Sequence, residues 1–179
     1  MAEAKTNTMV KKHMIGLFLD TSATESEEYT RVAKSTELTI EMNGETEEYD
    51  YIVDEMPTTE LMYYKPSIET PLTMYTDDPM FTYIFGKFYN LEVGTQTGTT
   101  AMLVFMFDGN KETGYKAWKV PASIVITDLN AVDSTITFTI EFGGTVQRGT
   151  ATMQEGKPTF TPSPEAVSLA EKGSIKIEK

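Results

Sequence analysis

The sequence predicts a mainly β domain: a β-sandwich or partly open barrel of two packed sheets, with one flanking α-helix near residues 78–90. Three observations carry this. First, Ile136, Phe138, Ile140 and Phe142 alternate with Thr135, Thr137, Thr139 and Glu141, the period-two pattern of a half-buried strand. Second, "TTAMLVFMF" (Thr99 to Phe107) is continuous and apolar, as a strand buried on both faces would be. Third, "TDDPMFTYIFGKFYN" (Thr76 to Asn90) is the one segment that reads as a helix with proper ends.

Taken in order, "HMIGLFLD" is a first strand, and "TSATESEEYTRVAKS" is an exposed polar loop. In "ELTIEMNGETEEYDYIV", Leu38, Ile40 and Met42 alternate with Glu37, Thr39 and Glu41, and Asn43-Gly44 signals a turn. Tyr49, Tyr51 and Val53 continue the alternation on a return strand. "MPTTELMYYKPS" (Met56 to Ser67) holds two prolines and reads as a loop or the tip of a long hairpin spanning about 43–65. "IETPLTMYT" is a short strand leading to the helix.

In the helix, Asp78 is the cap, Pro79 takes the first turn, and Lys87 lies near the C-terminal end, where the dipole favours a cation. Phe81, Ile84, Phe85 and Phe88 recur at i, i+3, i+4, i+7 and form the expected core stripe, worth on the order of 6–10 kcal/mol of burial. Asp108-Gly109-Asn110 then starts a turn, "WKVPASIVITDL" is a strand, and Gly143-Gly144 marks a bulge or tight turn after the 135–142 strand. Residues 1–162 make one domain with an N-terminal arm. The segment 163–179 separates by composition, as a C-terminal arm or a short helix plus a strand, with Ser163 and Pro164 as its cap.

Composition narrows the function. The chain has 179 residues, no cysteine, one histidine, and 27 acidic against 15 basic residues, a formal net charge of −12. Disulfides, thiolate catalysis and zinc–thiolate sites are excluded, and bulk attraction to DNA or an anionic membrane is not expected. Between Lys34 and Lys87 the only base is Lys65, among twelve Asp and Glu. The "MAEAKTNTMVKKHMIGLFLD" start does not read as a signal peptide, and no apolar run is long enough for a membrane helix.

No active site assembles. His13 has no carboxylate and nucleophile beside it in sequence. "DTSATESEE" lacks the spacing and central glycine of a calcium loop. Asp77-Asp78 suits a helix N-terminus, and "GGTVQRG" lacks the lysine of a phosphate loop. Arg148 reads as a surface or interface group, Trp118 as core, and the eleven methionines as packing fillers. The expectation is a non-enzyme with no cofactor and no metal.

"YKPSIETPLTMYTDDPMFTYIFGKFYN" resembles a segment of the tail tube proteins (major tail proteins) of long-tailed bacteriophages. In them a Lys-Pro-Ser strand leads through a Tyr to an Asp-Pro-x-Phe helix start. "YTRVAKSTELTIEMNGETEEYDYI" is similar to the family's N-terminal portion. "VPASIVITDLNAVDSTITFTIEFGGTVQRGTATMQEGKPTFTP" is similar to its C-terminal hairpin. The match runs in order from about Met14 to Pro162; the "TSATESEEYT" loop and the tail after Pro162 depart from it.

The resemblance implies two packed sheets with one helix. It also implies rings, typically hexameric, stacked into a hollow tube that conducts the genome into the host. The protein would be made in the bacterial host cytoplasm and reside in the virion tail. Implied partners are further copies of the chain, the tape-measure protein, the tail terminator and baseplate proteins. DNA would pass without specific binding, and no membrane is involved. If each of six subunits gives about four tilted strands, the backbone ring is roughly 50 Å across, wide enough for a duplex. Glu37, Glu41, Glu47 and Glu141 are the candidates for an acidic lumen. Met56, Leu61, Met62, Tyr63 and Tyr64, apolar and aromatic in a loop-like stretch, are the candidates for ring stacking. A competing reading is an Ig-like or adhesin-type module decorating a virion or cell surface. Another is an enzyme or ligand-binding barrel, which the missing site disfavours.

Overall fold

The computed structural model describes residues 9–22, 26–53 and 55–163. Of the expected C-terminal arm or short helix plus strand at 163–179, all but Ser163 lies outside the described residues. The chain is mainly β, with eleven strands and one α-helix among the described residues. It divides into two compact units.

The first unit comprises Met1–Arg31, Ala101–Lys119 and Val146–Lys179. Its strands are β1 (Ile15–Asp20), β2 (Tyr29–Arg31), most of β7 (Gly98–Asn110), the first part of β8 (Gly114–Asn130), β10 (Gln147–Gln154) and β11 (Lys157–Pro162). The order is β2-β1-β7-β8-β10-β11. Leu17 opposes Leu103, Trp118 opposes Arg148, and Ala151 opposes Phe160. β11 comes beside β2, where Lys157 Nζ meets Glu28 at 2.7 Å, but no ladder joins them. The sheet therefore curls without closing. Phe18, Tyr29, Met102, Val104, Ala117 and Ala151 fill its concave side, with Met106, Tyr115, Met153 and Phe160 packed around them.

"TTAMLVFMF" is buried on both faces only over Ala101–Val104; Phe105 and Met106 are half-buried and Phe107 is exposed. At the β7–β8 turn, Asn110 Oδ1 accepts from the Glu112 and Thr113 amides. Gly109 is needed there: its φ is +130°, and a Cβ would stand 2.3 Å from the Gly114 carbonyl oxygen.

The second unit comprises Val32–Thr100 and Val120–Thr145. It holds β3 (Thr39–Glu41), β4 (Gly44–Tyr49), β5 (Thr58–Tyr64), β6 (Ser67–Thr73), α1 (Pro79–Tyr89), the remainder of β8, and β9 (Thr135–Phe142). The sheet order here is β8-β9-β6-β3, while β4 and β5 form a separate two-stranded sheet. The alternation in β9 is realised in full: Ile136, Phe138, Ile140 and Phe142 are buried and the intervening residues are not.

Asn43-Gly44 behaves differently from the expected hairpin turn. β3 pairs with β6, and β4 pairs with β5, so the strands flanking Asn43 are not partners. Asn43, at φ +43°, is the point where the chain leaves one sheet for the other. Lys65 returns beside it: the Lys65 amide donates to the Asn43 carbonyl at 3.2 Å, and Asn43 Nδ2 donates to the Lys65 carbonyl at 3.2 Å. The local preference of Asn for the left-handed region was legible; the pairing partners depend on distant strands.

The helix occupies its expected place. Asp78 accepts from the Met80 amide at 3.3 Å, Pro79 opens the first turn, and Asn90 closes the helix. Its buried face is another matter. Met80, Ile84 and Lys87 are buried, Phe81 is half-buried, and Phe85 and Phe88 are exposed at 38% and 36%. Of the expected core stripe only Ile84 lies fully inside. Two apolar stripes overlap on this helix, about 100° apart, and the slimmer one is the one buried. Lys87 joins it by burying its stem, with the ammonium held by Glu92 at 2.9 Å and the Gln96 carbonyl at 2.6 Å. The displaced aromatic stripe runs along the outside: Phe85 lies 5.6 Å from Phe81, 6.0 Å from Phe88 and 6.2 Å from Tyr89, centroid to centroid.

Candidate assembly surfaces

Three surfaces of the second unit offer themselves. The first is the open face of the β8-β9-β6-β3 sheet. Strands alternate their side chains, and directly opposed residues share a face. Glu41 opposes Ser67, Ser67 opposes Glu141, and Glu141 opposes Ser123. In the next row Thr39 opposes Glu69, which opposes Thr139, which opposes Val125. Ile40, Ile68, Ile140 and Ile124 point the other way. The result is a sheet face mainly of hydroxyls and carboxylates, with Ser67 buried among them and the exposed Val125 as an apolar exception. None of the four strands carries a Lys or Arg within this unit.

The sequence-derived lumen candidates distribute unevenly. Glu41, exposed, and Glu141, half-buried, share this face. Glu37 precedes β3, its carbonyl held by Thr70 Oγ1 at 2.9 Å and Ser35 Oγ at 2.6 Å. Glu47 lies in β4, on the separate hairpin, and so is not part of this sheet. Glu69 was missed, although Ile68, Thr70 and Leu72 already alternate with Ser67, Glu69 and Pro71 in the sequence.

The second surface is the β4–β5 hairpin. Met56, Leu61, Met62, Tyr63 and Tyr64 are all exposed. A register shift between Glu45 and Thr46 leaves Met62 as the extra residue, so the two faces differ. Glu45, Glu47, Tyr49, Glu60 and Tyr63 share one face by register. Tyr49 donates to Glu47 at 2.8 Å and stacks on Tyr51 at 5.8 Å. From Gly44 to Tyr64 the chain has seven acids and no base.

The third is a cleft of about 530 Å³ at the end of α1, between Phe88, Leu91 and Val93 on one side and Ile124 and Ile126 on the other. Leu91, at φ +50°, is 79% exposed. Among the described residues no three potential metal ligands converge, and no helix is long and apolar enough to cross a membrane.

Charge is divided sharply between the units. The second holds 16 acids and three bases, a net of −13, and the first 11 acids and 12 bases, a net of +1.

No family model matches the chain, and no curated protein does. Solved structures do. A chain from the tail of an empty GTA particle, refined with C6 symmetry, is 14% identical, with 77% of this chain and 97% of that chain covered and a TM-score of 0.51. The sheath/tube terminator of the PVC extracellular contractile injection system follows at 11% identity, 79% and 97% coverage and a TM-score of 0.49. The tube-terminating cap of the anti-feeding prophage follows at 13% identity, 84% and 97% coverage and a TM-score of 0.48. The fold likeness rests on the first. The mainly β architecture with one helix among the described residues is thus a fold shared with a chain of the GTA particle tail.

Proposed function

We propose that this chain is a tail tube subunit. Copies close into rings without disulfides, since the chain has no cysteine, and the rings stack into a hollow tube through which phage DNA passes. The observation that carries this reading is the base-free face of Glu41, Glu69, Glu141 and their Thr and Ser neighbours. A cationic wall would hold DNA by counterion release, whereas carboxylates and hydroxyls leave it free to slide. β3 pairs with β6 on one side only. Joining such edges from copy to copy would remove them and close a barrel. The C6 symmetry of the GTA tail supports six copies per ring. Tape-measure, terminator and baseplate proteins are the partners such a tube would meet, and the virion tail is its place.

The hairpin is the proposed stacking element. Its excision is clean, because Asn43 and Lys65 already bond to each other. Negative-stain images of concentrated protein should reveal rings and tubes. Replacing Gly44–Tyr64 by a two-residue turn should leave a folded subunit that no longer forms tubes. A wild-type protein that stays as single beads at every concentration would refute the reading.

A further inference from the structure

Two surfaces of this chain complement each other in charge and in shape of side chain, and they lie in different units. One is the hairpin face with Glu45, Glu47, Glu60, Tyr49 and Tyr63. It has no base, and an isolated two-stranded sheet is marginal in water without a partner. The other is on the first unit. Trp118 and Arg148 are directly opposed on β8 and β10 and share a face. Lys116 stands two residues from Trp118 on the same side. Phe105 meets the Trp118 ring edge-on at 5.4 Å, and Phe107 lies 6.0 Å from Phe105. Phe107 is 48% exposed, Arg148 is exposed, and Trp118 is half-buried. Among the described residues Arg148 makes no ion pair, and Lys116 pairs only with Asp108, at 2.6 Å. A half-buried Trp flanked by exposed Phe and Arg is the composition of interface centres rather than of ordinary surface.

We infer that the Trp118–Arg148 patch is the receptor for the acidic, tyrosine-bearing face of the β4–β5 hairpin of a second copy. The inference rests on the tube reading and names the receiving surface within it. Arg148 and Lys116 meet Glu47 and Glu60, while the tyrosines lie on Trp118 and Phe107. A like-charged receptor is excluded, because the second unit's own surface would repel seven carboxylates. The two surfaces are different, so the contact is heterologous. It propagates from copy to copy instead of ending at a dimer.

The test uses the full chain, whose lack of cysteine leaves any introduced pair unambiguous. Glu60→Cys and Thr150→Cys are made in separate preparations and mixed before assembly; Thr150 opposes Lys116 on the patch face. Oxidation of the assembled material is expected to give a cross-linked pair, which only two different molecules can form. Arg148→Glu should raise the concentration needed for assembly at least tenfold. Adding Glu47→Arg and Glu60→Arg should restore it. Tubes that form without cross-link, and are indifferent to Arg148→Glu, would overturn the receptor and leave the tube reading standing. Wild-type protein that never assembles would overturn both. If Arg148→Glu fails to fold, the cysteine pair alone decides.

Discussion

Lys87 and Glu92 form an ion pair at 2.9 Å with the lysine side chain 10% exposed and the glutamate 23%. The pair ties the last turn of α1 to the segment that follows it, and Lys87 Nζ also lies 5.0 Å from the Tyr83 ring centroid. Removing one partner of a buried pair leaves a charge unmatched. Glu92→Ala should therefore lower stability by about 3 kcal/mol. Lys87→Met, which keeps the buried stem without the charge, should cost much less. Urea denaturation of the two variants checks the order; equal losses would mean the charge pairing is not what matters.

The inversion of the helix stripe has its own measurable signature. Ile84→Ala should cost roughly 2–5 kcal/mol, as core truncations do. Phe88→Ala, at a position 36% exposed, should cost under about 1.5 kcal/mol. Thermal melts of both would settle which face is buried, and a larger loss for Phe88→Ala would reinstate the aromatic stripe as core.

Tyr29 gives the fold an alkaline limit. Burial pushes its phenol well above the ordinary value of 10, with the Glu27 and Asp20 carboxylates adding to the effect. An acid held neutral in the folded state contributes stability that is complete below its unfolded pKa and is lost as pH rises through and beyond it. Stability should therefore decline above about pH 10. Tyr29→Phe should remove much of that decline while the fold persists. Unfolding curves at pH 8 and pH 11 for both proteins make the comparison.

Reversal of the open sheet face is the sharpest probe of its proposed role. Glu41→Lys, Glu69→Lys and Glu141→Lys together turn three acids into three bases on one face. Tubes of this variant should retain DNA at low salt and release it as salt rises, the mark of counterion release. Wild-type tubes should give no such retention. Filter retention of labelled duplex across a salt series reads the difference.

Much of this architecture could be read from the chain. β9 and the start and end of α1 followed from period and capping, because both depend on neighbours a few residues away. The helix face did not, since Met80 and Phe81 open competing stripes and only tertiary packing decides between them. Lys87 hid its burial for a similar reason: its acceptors, Glu92 and the Gln96 carbonyl, lie in an irregular segment with no readable period. Glu41 and Glu141 could be assigned to an outward face from alternation alone. That they flank the same Ser67 depends on a register between strands far apart in sequence. That Glu47 lies on a different sheet from Glu41 was hidden because the alternation runs on past Asn43, whereas the chain changes sheets there.

The hairpin that stands apart from the main sheet also sets a clock. β4 and β5 each have a ladder on one side only, which leaves alternate amides unpaired, whereas β9 is paired with β8 and β6 on both. Deuterium should therefore enter the hairpin through local opening, long before it reaches β9, whose exchange requires the unit to come apart. One labelling time course would separate the two classes of amide within a single molecule. Capture of the hairpin by another copy would move its amides from the fast class to the slow, and the exchange of a few tyrosine-flanked peptides would then report how far assembly had gone.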